Sequence, residues 1–244
     1  MKASFWLLGA LASTTVSGTA NAAEFMWFDS DHSSYNGDYL SGQALTFTSP
    51  SVTAKVTAWS IGSDNKISQA QLGVWSEGIG VKNGSGDNSH TIDNSGRQDF
   101  IVIQFDKLVQ LANANFKTGW HNLYDTDATI GYLNSQAAFS TPVSLNGASL
   151  SSLSSYNLYA SNGGNISRNI NPDGNLGNVW LIGASFNNPE GSKSLDGFKF
   201  EKVSFSVAAV PEPATWMMMI LGFGFVGGAL RSDKRQRKVS VSYA

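Results

Sequence analysis

Val52-Thr53-Ala54-Lys55-Val56-Thr57-Ala58-Trp59, with Leu45-Thr46-Phe47 shortly before it, alternates apolar and polar residues. A period of two puts one kind of side chain on each face of an extended chain, as a half-buried β-strand requires. Similar runs recur at 70–75, 79–82, 99–105, 128–133, 157–160, 178–185 and 198–207. Between them lie Asn83-Gly84-Ser85-Gly86-Asp87-Asn88, Asn162-Gly163-Gly164-Asn165 and Asn171-Pro172-Asp173-Gly174-Asn175. Gly and Asn supply positive φ, and Asn and Asp bond to nearby backbone, so these clusters read as turns. Only 107–116 and the serine-rich 144–155 carry a spacing compatible with a helix. Many short strands with such connections predict an all-β domain, a single jelly-roll-like β-sandwich. Its largest core members are expected to be Trp59, Trp75, Phe100, Phe105, Trp120, Tyr132, Trp180 and Phe200. No repeat at a fixed period is present, which counts against a solenoid.

Composition narrows the possible partners. The chain has 244 residues and no cysteine, so it has neither a disulfide nor a thiolate metal site. Its net charge of −2 hides an asymmetry. Residues 23–210 hold sixteen Asp/Glu against ten Lys/Arg, whereas 231–244 hold five basic residues and one acidic one. An acidic body argues against nucleic acid as a partner.

The first 22 residues read as a signal peptide. Lys2 is the positive n-region, 5–12 the apolar h-region, and Ala20-Asn21-Ala22 the small-x-small site for signal peptidase, with Ala20 and Ala22 at the specificity positions. The expected division is 1–22 signal peptide, 23–209 sandwich, 210–238 sorting signal and 239–244 a short tail.

At the other end, Pro211-Glu212-Pro213 is a stiff extended tripeptide, since each proline fixes φ and lacks an N–H. The eighteen residues 213–230 carry no charge. As a helix they would measure about 27 Å, near the hydrocarbon thickness of a bilayer, and predict a C-terminal transmembrane helix. Arg231-Ser232-Asp233-Lys234-Arg235-Gln236-Arg237-Lys238 would hold the end on the cytoplasmic side.

Pro211, Glu212, Pro213, Trp216, the Met217-Met218-Met219 run, Gly222, Gly224 and Arg231 at the start of the basic end resemble the PEP-CTERM sorting domain, in its variant with Trp after the tripeptide. The resemblance covers about thirty residues. It implies recognition by an exosortase, a membrane-embedded cysteine protease/transpeptidase-like enzyme of Gram-negative bacteria that make extracellular polysaccharide. It also implies cleavage near the tripeptide, transient inner-membrane anchoring and delivery to the cell surface or extracellular matrix. The formal Gly-x-Gly-x-x-Gly of 222–227 lacks the preceding strand and later acidic residue of a dinucleotide site.

Within the body, Gly78-Ile79-Gly80-Val81-Lys82-Asn83, His90-Thr91-Ile92-Asp93-Asn94, Asp99 before an apolar run, Gly119-Trp120 and Asp125-Thr126-Asp127 follow in order. This succession resembles the passenger domain of an exosortase-dependent surface protein family. The resemblance implies an exported sandwich and supplies no catalytic activity.

Taken as chemistry, Asp93, Asp99, Asp125 and Asp127 are candidate oxygen ligands for a structural Ca2+. The competing reading is that they cap turns through bonds to backbone. His90 with Asp93, or His121 with Asp125, has the spacing of an oriented acid–base pair, but no nucleophile elbow and no His-Glu-x-x-His helix accompanies either. No catalytic residue is assigned, and no other cofactor is expected. Trp27, Phe28, Tyr35 and Tyr39 are expected to be exposed aromatics suited to stacking on exopolysaccharide. The expectation is a non-enzymatic surface or matrix protein; the alternatives for the body are a carbohydrate-binding module, a glycan-acting hydrolase or an ice-binding protein.

Overall fold

The computed structural model describes residues 23–118, 125–145, 154–158, 164–186, 195–208 and 213–235. Residues 1–22, read from sequence as a signal peptide, and Trp120, His121, Pro211 and Glu212 fall outside them. Contacts divide the chain into 21–208 and a second unit of 1–20 with 209–244, and each is described by itself. The described residues form β1 (Glu24–Trp27), β2 (Gly37–Asp38), β3 (Leu45–Thr48), β4 (Thr53–Ile61), β5 (Ile67–Trp75), β6 (Gly78–Lys82), β7 (Ile92–Asp93), β8 (Gln98–Lys117), β9 (Ala128–Leu133), β10 (Ser154–Leu158), β11 (Ile166–Asn169), β12 (Gly177–Ala184), β13 (Gly197–Val207) and α1 (Pro213–Arg235).

Strand β8, twenty residues long, organises the sheet. Its first half pairs with β4, from Gln98↔Ile61 to Phe105↔Ala54, and with β12, from Phe100↔Gly183 to Gln104↔Val179. Its second half pairs with β13, from Val109↔Val207 to Lys117↔Lys199, and with β11. Strand β13 also meets β6, and β6 continues through β5 to β4. The path β13–β6–β5–β4–β8 therefore returns to β13 and closes a barrel-like ring, to which the other strands attach. The all-β expectation holds. The layers of the expected sandwich are joined through β8 and β13 into one closed sheet.

The stretch 107–116, helix-compatible in sequence, is the second half of β8. Val109, Leu111, Ala114 and Phe116 are its buried residues. The step from 111 to 114 breaks period two because a β-bulge lies there, Ala114 facing Val203 and Leu111 facing Phe205. One bulge in a strand yields the i, i+3 spacing of a helix.

Residues 99–105 are buried on both faces. Ile101, Ile103 and Phe105 enter the main core with Val56, Trp180, Phe116, Phe198, Phe200 and Phe205. Phe100 and Val102 enter a second cluster with Trp59, Ile67, Val179 and Leu181. Phe28, Phe47, Phe116, Phe198 and Phe200 meet edge-on or tilted at centroid distances of 4.7–5.6 Å, the favoured geometry of aromatic pairs. Of the expected core, Trp59, Phe100, Phe105, Trp180 and Phe200 are buried, while Trp75 and Tyr132 are half-buried.

Helix α1 has 23 residues and begins at Pro213, the kind of first-turn position proline favours. Trp216 to Arg231 are exposed throughout. Among the described residues no helix is long and apolar enough to cross a membrane.

Candidate functional site

Two of the four aspartates singled out in sequence come together, and a third joins them from far along the chain. Asp125, ahead of β9, forms a parallel β-bridge with Asp196, ahead of β13. The Asp125 N–H donates to Leu195 O at 3.0 Å, and the Gly197 N–H to Asp125 O at 2.8 Å. Asp127 is anchored through its carbonyl, which accepts from Ser185 N–H at 3.1 Å. Carboxylate oxygens of Asp125, Asp127 and Asp196 all lie within 4.8 Å of one another, and all three residues are buried.

Neighbouring groups fix the triad. Asn94 Nδ2 donates to Asp196 Oδ2 at 2.7 Å, and Asp196 N–H donates to Asn94 Oδ1 at 3.0 Å. Thr126 N–H donates to Asp125 Oδ1 at 2.6 Å. Arg168, on β11, stacks its guanidinium over Phe116 at 4.7 Å and donates from Nη2 to Thr126 O. Burial first, then the charges of Asp127 and Asp125, push the Asp196 carboxyl up to about 7 against the opposing Asn94 and Arg168. Burial likewise lowers Arg168 from its ordinary value, opposed by the three carboxylates. Asp196 Oδ1 is buried with no hydrogen-bond partner, as are Thr126 Oγ1 and Arg168 Nε and Nη1.

Asp93 and Asp99 do not join this group. Asp93 accepts from Ser89 Oγ and Thr91 Oγ1, both at 2.7 Å, and from Ser95 N–H at 2.9 Å. That is the turn-capping arrangement, and burial raises its carboxyl from the usual range. Asp99 accepts from Asn83 Nδ2 at 3.0 and 2.9 Å. Burial pushes it up to about 9, against the Asn83 hydrogen bond and with the charges of Asp93 and Asp87 adding to the rise. Both Asp99 oxygens accept from the Asn83 amide, and Asp99 lies outside the Asp125–Asp127–Asp196 group. Asp196 itself was missed in sequence because an Asp before a strand Gly looks like any turn residue.

His90 pairs with Asp38, not Asp93: its Nδ1 lies 3.1 Å from Asp38 Oδ1, and Lys82 Nζ takes Asp38 Oδ2 at 3.0 Å. Its φ of +50 and the close approach of its carbonyl explain a glycine in β6, since a Cβ at Gly80 would lie 2.0 Å from His90 O.

Trp27 and Tyr35 line one open pocket of about 530 Å³ with Asp31, His32, Ser33, Thr46 and Thr48. Trp27 is not free to stack: His32 lies parallel to it at 4.0 Å, and Lys202 Nζ sits over the ring at 4.1 Å. Tyr39 packs edge-on against Tyr35 at 5.4 Å. Phe28, expected to be exposed, is buried in the core: it follows β1 directly, its N–H donates to Glu201 O at 2.8 Å, and it points inward two residues after buried Met26.

Of the sorting residues, Pro213 opens α1, and Trp216 and Arg231 are exposed. A Cβ at Gly222 or Gly224 would meet nothing within 4 Å, so both glycines lie on open helix surface. No curated protein and no solved structure shows a significant match to the chain. A family model does match at its end, the PEP-CTERM protein-sorting motif over residues 209–236. The chain therefore carries a PEP-CTERM sorting motif, which marks it as an exported protein for exosortase-dependent sorting.

Proposed function

We propose that the protein is a non-enzymatic component of the cell surface or extracellular matrix, held briefly in the inner membrane and released by an exosortase. The observation that carries this reading is the PEP-CTERM motif at 209–236. In this reading Pro211-Glu212-Pro213 is the rigid recognition element, and the uncharged 213–230 holds it at the outer face of the membrane. Trp216 sits at the interface, and the basic residues from Arg231 onward stay cytoplasmic. Replacing Pro211, Glu212 and Pro213 with alanine in a host that has the exosortase tests it. The expected result is full-length protein retained in the inner-membrane fraction. Normal release of a shortened body would contradict the proposal.

A second reading, exopolysaccharide binding, is favoured by the pocket that joins Trp27 and Tyr35 to polar Asp31, Ser33, Thr46 and Thr48. Because His32 and Lys202 cover Trp27, a sugar would bind by its hydroxyls or displace His32. A polysaccharide array read by thermal shift tests this, and a body that melts at one temperature across the whole array would exclude it.

A further inference from the structure

We propose that Asp125, Asp127 and Asp196 bind one calcium ion, which ties the head of β9 to the head of β13. Two observations meet there. Oxygens of the three carboxylates fall within 4.8 Å of one another. Asp196 is 0% exposed, yet its Oδ1 has no hydrogen-bond partner. A buried carboxylate oxygen without a partner lacks the compensation that burial of charge requires.

Arg168 lies within the field of all three carboxylates. Its Nη2 donates to Thr126 O, while Nε and Nη1 have no hydrogen-bond partner. An all-oxygen donor set selects a hard cation. Asp125, Asp127 and Asp196 are 8, 2 and 0% exposed, which leaves little room for retained water. Magnesium sheds its waters reluctantly, whereas calcium accepts six to eight protein oxygens in irregular geometry, and three bidentate carboxylates can supply six.

The ion would act on topology. Asp125 and Asp196 already share a β-bridge at the heads of β9 and β13, and Asn94 couples Asp196 to β7. A shared ion would hold these strands in register by bonds stronger than the bridge alone. The site belongs to the body and is independent of the sorting motif.

The experiment uses the full-length protein in detergent, stripped with EDTA and then titrated with calcium or magnesium chloride. Calcium at about 100 times its dissociation constant is expected to raise Tm by about 5–10 °C, with one ion bound per chain by equilibrium dialysis. Magnesium is expected to do less at equal concentration. Asp196→Asn should abolish the calcium shift, and Asp99→Asn should keep it. Arg168→Gln should lower Tm in EDTA and recover with calcium, because removing the cation leaves more charge for the ion to neutralise. No bound calcium in the wild type would overturn the proposal. So would a shift that survives Asp196→Asn, or an Arg168→Gln loss that calcium leaves untouched. If Asp196→Asn does not fold, Asp125→Asn and the wild-type stoichiometry decide.

Discussion

Asp125 and Asp196 face each other across a parallel β-bridge, although the pairings between named strands run antiparallel. The bridge sets two acidic side chains side by side inside the protein, where the charge of Asp125 adds to the cost of ionising Asp196. Asn94 relieves part of that cost. It clamps Asp196 through both side-chain atoms and through its own N–H, which donates to Asp196 O at 3.2 Å.

Asn94→Ala should therefore destabilise the body more than a half-exposed site usually does. It removes two hydrogen bonds and leaves Asp196 Oδ2 buried without a donor, at a cost of about 1–3 kcal/mol. Urea unfolding measures it, with the midpoint falling at unchanged slope.

Asp99 should make the body less stable as pH rises. An unfolded aspartate ionises near pH 4, while burial holds the folded group protonated up to about 9. Between those values the folded state binds the extra proton, so stability falls by about 1.4 kcal/mol per pH unit. Below that window the contribution is fully present. Asp99→Asn keeps an acceptor for Asn83 and removes the linkage. Thermal melts should show the variant well above wild type at pH 8 and converging with it near pH 4; a pH-independent gap would refute this account.

Gly80→Ala should lower Tm sharply. Its Cβ would lie 2.0 Å from the His90 carbonyl oxygen, so the backbone must move. Overpacking against backbone costs about 1–3 kcal/mol or more. Gly84→Ala, where a Cβ would meet nothing within 4 Å, serves as the control and should change little.

Gln104 should govern a local opening. It is 3% exposed, accepts from Val143 N–H at 3.1 Å and donates to Thr141 O at 3.3 Å. Lys55 Nζ adds bonds to Phe139 O at 3.0 Å and Ser140 O at 2.9 Å. Together they pin 139–143 over the second apolar cluster. Gln104→Leu fills the space but loses both bonds. Limited proteolysis should cut the variant within 134–145 much faster, with global Tm reduced only modestly.

The proposed membrane hold can be tested by one charge in α1. Phe223, 72% exposed, lies midway along the uncharged segment. Phe223→Asp in the alanine-tripeptide protein should weaken insertion by about 2.5–3.5 kcal/mol and shift retained precursor towards the carbonate-soluble fraction. An unchanged membrane fraction would mean that α1 is not the hold.

Strand content was legible wherever large apolar residues keep a two-residue period. Stretch 45–47 lies within β3, which alternates buried and exposed, and 79–82 and 128–133 lie within β6 and β9, where Ile79 and Val81, and Ala128 and Ile130, keep that period although their neighbours are buried too. It was not legible at 107–116, where a bulge imitates helical spacing, nor at β2 and β7, which are two residues long. The candidate site was half legible: Asp125-x-Asp127 is a visible local pair, whereas Asp196 and Arg168 are separated from it by the chain and joined to it by the bridge and by β11.

The sequence by itself determined the sorting motif and the all-β class. A tripeptide with fixed φ, an uncharged run, a basic end and a two-residue period are local patterns, readable without any contact across the chain. Only the tertiary structure decided that the sheet closes through β8 and β13, and that Asp93 and Asp99 are satisfied capping or protonated groups. It alone brought Asp125, Asp127 and Asp196 together. Burial, pairing and the field of neighbouring charges are properties of residues remote in sequence, and they set what a carboxylate can do.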